Sequence, residues 1–324
     1  MMPRPLLHTT FGLTYRKIPI LAIGREIYCD TSLIIEALEH YFPPSQNYGT
    51  IYPKLSSGEL DEWAYKGLVR GFASFWTDRP FFRVTTGLIP SSVWETEFGT
   101  DRAGLIGHKL DPAKLGAKIP QNLSNLDLHL SLLEPTFSAG TWCIPTQSPS
   151  LADVSLYYQL RWGIDIAAGK GIYNLTAGGT QDTTLDVTDS VFNEERYPGV
   201  WTWFHTLESY LASLPDLETP LTDATTSTLV DLLGPCAPLR DEDLLVPTPA
   251  GEHSTLDVQR GLVEGVQVSI APDDTGRDSP TVGKLVRIGV EEVVVEPSER
   301  GRVDVRIHFP RLGFGVRVLE GSRL

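Results

Sequence analysis

The chain has 324 residues, 41% of them hydrophobic and 9% aromatic, which is enough for two or three ordinary buried cores. A net charge of −14 excludes a phosphate-backbone ligand, which needs clustered Lys and Arg to displace counterions, so no nucleic acid partner is expected. Cys29, Cys143 and Cys236 are too far apart for a disulfide framework or a zinc site, and the seven histidines nowhere approach metal spacing, so no metal is expected.

The first residues, MMPRPLLHTTFG, carry no basic segment followed by an apolar core, and no uninterrupted apolar run approaches about 20 residues. Neither secretion nor a membrane span follows, and a cytoplasmic protein is expected. The final Ser322-Arg323-Leu324 resembles a peroxisomal address, which is the alternative.

In chain order, residues 18–23 and 25–29 read as two short strands joined at Gly24. Asp30 or Thr31 then caps a helix whose Leu33, Ile34, Ala37 and Leu38 fall at helical spacing, and the helix stops before Pro43-Pro44. Cys29, on the strand before the cap, reads as a small buried hydrophobe. After a turn-rich stretch the period is helical from about 58 to 215, in four amphipathic runs. Phe75 and Trp76, in FASFWTDRPFF, read as core. Ser150 and Asp153 have the spacing of a capping box, worth roughly 1 kcal/mol. AAGKGIYNLTAGGT lacks the spacing of a phosphate loop. A Pro- and Thr-rich passage follows, and then GVQVSIAPDD, GKLVRIGVEEVVVEP, RVDVRIHFP and FGVRVLEG alternate with period two, as strands do. The acidic runs RDEDLL and EEVVVEPSER read as solvated surface.

A strand entered through Ile-Pro, a turn, a second strand, Asp-Thr at a helix start and then an all-α region together resemble the glutathione transferase superfamily. The likeness covers roughly Arg16–Pro43 and Leu60–Leu214 and includes the capping-box segment SPSLADVSLYYQL. With the tail VRIHFPRLGFGVRV, the chain resembles fungal glutathione-transferase-like proteins that carry an extra C-terminal β-domain. The implied fold class is α+β multidomain: a truncated thioredoxin-like half over 1–46, an all-α transferase-like bundle over 56–216, a linker over 217–254 and a small antiparallel β-domain over 255–324.

The resemblance also implies a site. Ile18-Pro19 would be a cis bond whose backbone pairs with the cysteinyl unit of glutathione. The Asp30 carboxylate would meet the γ-glutamyl ammonium, while the Thr31 hydroxyl and helix amides receive its carboxylate. Glutathione would be the cosubstrate, an apolar small molecule the second partner, and a homodimer the assembly. The implied chemistry is conjugation to an electrophile or glutathione-dependent isomerisation through an activated thiolate. In that superfamily the activating Ser, Tyr or Cys follows a first strand, and nothing precedes MMPRPLL, so the catalytic residue is unassigned. The chain is therefore read as lacking the N-terminal part of its thioredoxin-like domain, through a misassigned start or a real truncation. The rival reading is a non-catalytic binding or scaffold protein that keeps the fold.

Overall fold

The computed structural model describes residues 4–58, 62–176, 178–179, 181–182, 186–216, 224–251 and 254–319. The chain begins with α1 (Pro5–Phe11), β1 (Ile20–Ile23), β2 (Glu26–Cys29) and α2 (Thr31–Tyr41). Later helices include α3 (Glu62–Gly71), α4 (Ile119–Ala139), α5 (Leu151–Ala167), α6 (Pro198–Ala212) and α7 (Thr226–Leu233). The strands β3 (Gln267–Pro272), β4 (Thr281–Ile288), β5 (Glu292–Pro297), β6 (Arg306–Pro310) and β7 (Phe314–Val318) close the sequence. Two compact units result, one built from 1–49, 105–107 and 219–324, the other from 50–104 and 108–218.

The first unit corrects the expected fold class. Instead of a truncated half and a separate small β-domain, the N-terminal hairpin and the tail strands form one seven-stranded mixed sheet, in the order β1-β2-β6-β5-β4-β3-β7. The joint is a parallel pairing of β2 with β6, with Glu26, Ile27 and Tyr28 opposite Arg306, Ile307 and His308. The other pairs are antiparallel, and β1 and β7 form the two edges. The period-two pattern of each strand sorts its side chains onto opposite faces. On one face Ile27 and Cys29 pack with Val293, Val295, Ile307 and Phe309, and with Phe11, Leu13 and Tyr15 from the start of the chain. On the other, Tyr28 packs against Leu33, Ile34 and Ala37 of α2.

The start of the chain is bound to the tail at a second point. The amides of Arg302 and Val303 donate to the carbonyls of Thr9 and Thr10 at 3.0 Å each. Gly12 ends α1 in the left-handed region, and a Cβ there would lie 1.8 Å from the Glu299 carbonyl oxygen. Only glycine meets both demands.

The second unit is helical, as its periodicity predicts. Leu126, Leu130, Leu133 and Phe137 of α4 recur at helical spacing and pack with Leu156 and Leu160 of α5 and with Val200, Trp203, Phe204 and Leu207 of α6. The segment after α3, Phe72–Phe81, is a π-helix with Pro80 inside it. Its wider turn separates the two aromatics expected in the core: Trp76 packs on the core and stacks on Phe72, whereas Phe75 is 59% exposed.

The capping box starts α5 as its spacing predicts. Asp153 Oδ2 accepts from the Ser150 amide at 2.9 Å and its hydroxyl at 2.8 Å. Its Oδ1 accepts from the Cys143 amide at 2.7 Å and from Trp203 Nε1 at 3.0 Å. One buried carboxylate thus satisfies four donors in three segments, and its removal orphans them at about 1–3 kcal/mol for each buried group. Asp153→Ala is expected to lower unfolding stability by about 3 kcal/mol or more, against about 1 kcal/mol for Ser150→Ala. Chemical denaturation followed by tryptophan fluorescence measures both, because all seven tryptophans lie between residues 63 and 203. Equal losses would show that Asp153 is only a cap.

Candidate functional site

The hairpin register places the predicted site residues together. Ile20 pairs with Cys29 and Leu21 with Tyr28, so the Ile18-Pro19 dipeptide leads into β1 at the same end of the hairpin where β2 runs out into Asp30 and Thr31. The Ile18–Pro19 bond is cis. Ile18 is 59% exposed and Thr31 is also exposed, so the end of the hairpin opens to solvent beside the N-terminus of α2.

Asp30 is the N-cap of that helix. Its φ of 73° and ψ of 136° lie outside the regions that L-residues ordinarily adopt, and such strain persists where surrounding structure fixes it. Its carbonyl accepts from the Leu33 and Ile34 amides at 3.2 and 3.0 Å, and Oδ1 takes the Ser32 amide at 3.1 Å and the Ser32 hydroxyl at 2.6 Å. Oδ2 has one long contact, 3.5 Å from the Tyr15 hydroxyl, and so keeps acceptor capacity for an incoming cation. Positive peptide ends and a half-used carboxylate therefore sit side by side. That arrangement suits a zwitterionic α-amino acid head, with its carboxylate toward exposed Thr31 at the positive end of α2 and its ammonium toward Oδ2.

Tyr15 and Ser32 were not predicted as site residues, although Tyr15 opens the stretch YRKIPILAIGREIYCD and Ser32 follows the Asp-Thr pair. Burial pushes the Tyr15 phenol far above its ordinary range, and the Asp30 charge adds to the effect, so the hydroxyl remains a donor. Cys29 is fully buried, and burial, with Asp30 beside it, pushes its thiol well up. It is a small hydrophobe with no accessible thiolate. Lys17, next to Ile18, is neutralised by Asp274, with Nζ 2.7 Å from Oδ1.

A cleft of about 250 Å³ lies at the turn end of the same hairpin, lined by Arg25, Arg300, Arg306, Glu296 and Asp304. Its arginines are engaged: Arg306 with Glu26, Arg300 with Asp304 and Arg25 with the Gly234 carbonyl. Among the described residues no group of three or more His, Cys, Asp or Glu is placed to hold a metal ion. No helix among them is long and apolar enough to cross a membrane. Ser322-Arg323-Leu324 lies outside the described residues.

The sheet, the α2 start and the helical unit define a glutathione-transferase-like fold. A GST-like protein from Pseudomonas syringae superposes with a TM-score of 0.59 at 23% identity, over 98% of this chain and 87% of that one. The β-etherase LigF from Sphingobium sp. strain SYK-6 is matched with a TM-score of 0.35 at 14% identity, over 56% of this chain and 70% of that one. Residues 85–174 match the domain-of-unknown-function family DUF7962. No curated protein matches the chain.

The geometry at Asp30 separates capping from strain. Asp30→Ala removes the cap bonds yet keeps a Cβ at positive φ, and is expected to cost about 1–2 kcal/mol of unfolding stability. Asp30→Gly loses the same side chain but adopts φ > 0 freely, and should cost a few tenths of a kcal/mol. Urea unfolding followed by far-UV circular dichroism tests the order; Gly worse than Ala would show that the conformation carries no strain.

Proposed function

We propose that the chain binds glutathione at the open end of the hairpin through Ile18, Pro19, Asp30 and Thr31. The observation that carries this reading is the Asp30 N-cap, held at a strained backbone conformation with Oδ2 still available, near exposed Thr31 and exposed Ile18. The γ-glutamyl head meets Asp30 and the helix start, and the cysteinyl unit lies as an extra extended strand along residue 18. The reaction class that follows is conjugation of glutathione to an apolar electrophile, or isomerisation with glutathione as cofactor, through a thiolate held by a hydrogen-bond donor. A homodimer in the cytoplasm is the setting that accompanies this reading.

One observation favours a non-catalytic binding role as the second reading. The thiol and phenol nearest the site, on Cys29 and Tyr15, are buried, and Tyr15 donates to Asp30. A turnover assay with glutathione and a chloro-dinitrobenzene separates the two: conjugation above the uncatalysed rate supports the transferase, and binding without conjugation supports the binding protein.

Calorimetric titration tests the shared claim. Asp30→Ala should weaken glutathione binding by about 1.5–3 kcal/mol, the range for a hydrogen bond to a charged group, and Thr31→Ala should cost less because its hydroxyl is uncharged. Ser150→Ala, in the helical unit, should leave affinity unchanged while lowering the melting temperature. An Asp30→Ala protein with parental affinity would reduce Asp30 to a helix cap.

A further inference from the structure

On β2, the strand that leads into Asp30, begins a charged cluster that glutathione binding does not use. Glu26 on β2, Glu292 on β5 and His308 on β6 are 0%, 1% and 0% exposed. His308 Nε2 is 2.8 Å from Glu26 Oε2, and Nδ1 is 2.5 Å from Glu292 Oε1. A neutral imidazole carries one N–H, so one of these contacts would set a lone pair against a buried carboxylate; only the imidazolium donates to both. Arg306 adds a second cation, with Nε 3.0 Å from both Glu26 oxygens and Nη2 2.5 Å from Oε1. Two carboxylates and two cations cancel, and the Leu239 and Val246 amides take up further acceptor capacity at 3.0 and 2.8 Å. Removing the His308 proton would leave this cluster with an excess negative charge in a site without solvent.

The cluster connects directly to the candidate site. The His308 ring stacks on Tyr28 at 4.2 Å between centroids, and Tyr28 lies two residues before Asp30 on β2. The Tyr28 hydroxyl donates to the Tyr41 hydroxyl at 3.1 Å, and Tyr41 donates to the Asp243 carbonyl at 3.1 Å, so the far end of α2 is held by the same stack.

We propose that the proton on His308 is a latch that holds β2 and α2 in place, and thereby positions Asp30 and Thr31 for ligand, so that the site loses affinity when His308 is deprotonated. The affinity part rests on the glutathione reading; the latch itself rests on the geometry above. Burial alone would lower the imidazole, but the hydrogen bonds and charges of Glu26 and Glu292 outweigh it and hold His308 above its ordinary value. Burial alone would raise Glu26, but His308 and Arg306 hold it below its ordinary value. The other titratable groups near the cluster are Tyr28, Tyr41, His40, Asp241 and Asp243. Burial raises Tyr28 and Tyr41 and lowers His40, while Asp241, bonded to Arg306 at 3.3 Å, and Asp243 lie in the segment before Val246. A raised histidine stabilises fully below its unfolded value, and that stability is lost as pH rises through its folded value. The depressed Glu26 contributes above its unfolded value and loses its contribution as pH falls through the folded one.

The test uses the full chain and nitrogen-detected NMR of the histidine rings, with amide hydrogen exchange over residues 27–34 followed against pH and corrected for intrinsic rates. The expected result is a doubly protonated His308 at neutral pH and a titration midpoint above that of free histidine, with amide protection falling through the same midpoint. Glutathione should raise that midpoint, because linkage is reciprocal, and its Kd should weaken roughly 5- to 150-fold across it, the usual range for coupled sites. Glu292→Gln should move the midpoint, and the exchange transition with it, to lower pH. His308→Gln should remove the part of the pH dependence of affinity that tracks the His308 midpoint, and the ratio of parent to variant at each pH cancels the ligand's own titration. A neutral His308 at neutral pH, or a midpoint that leaves the 27–34 amides unmoved, would overturn the latch. So would a parent that binds glutathione with the same pH dependence as His308→Gln. A parent that binds no glutathione at any pH would end the glutathione reading instead, and the coincidence of ring titration and exchange would still decide the latch.

Discussion

The parallel pairing of β2 with β6 is the constraint on which the first unit depends. A parallel pair cannot be closed by a tight turn, so its two strands must come from distant parts of the chain, here residues 26–28 and 306–308. Backbone bonding alone does not choose those partners. The side chains at the joint do: Glu26 opposite Arg306 supplies a bidentate ion pair, and Tyr28 opposite His308 supplies a stacked ring pair, so a slip of β2 by one residue would turn the Glu26 carboxylate onto the apolar face.

Support for the candidate site follows from that joint. Asp30 holds a positive φ because β2 fixes the chain on one side and α2 on the other, and both pack on the face that carries the charged cluster. The opposite face is the larger apolar core, to which Phe11, Leu13 and Tyr15 contribute from before the hairpin and Val293, Val295, Ile307 and Phe309 from the tail. Tyr15 belongs to that core and also reaches Asp30 with its hydroxyl, so the site is anchored through both layers.

Much of this was legible in the residues. Gly24 between two short apolar runs marks the hairpin, Asp30 followed by Leu33, Ile34 and Ala37 marks the capped helix, and Ser150 with Asp153 marks the start of α5. These signals are local, set by turn chemistry and periodicity within a dozen residues. The alternating tail also read correctly as strands, but its destination did not: period two says that a strand has two faces and not which strand lies beside it. Glu26 and His308 each look like a polar residue on the solvated face of an alternating strand, and Glu292 sits in EEVVVEP, which reads as surface. Their burial is a joint property of three strands and helix α2, so no segment alone reveals it. Phe75 was misplaced for a different reason, because the π-helix shifts the facing of its residues away from the α-helical period used to read them.

The central claim is that a ligand head group is received where β2 meets α2, supported from behind by the tail strands. Titrating glutathione into isotope-labelled full-length protein and following the backbone amides tests it most directly. The account predicts saturable shifts concentrated at Ile18, Asp30, Thr31 and Ser32, with smaller ones carried to Tyr28 and His308. Shifts that do not saturate, or that gather elsewhere and leave residues 30–32 unmoved, would contradict it.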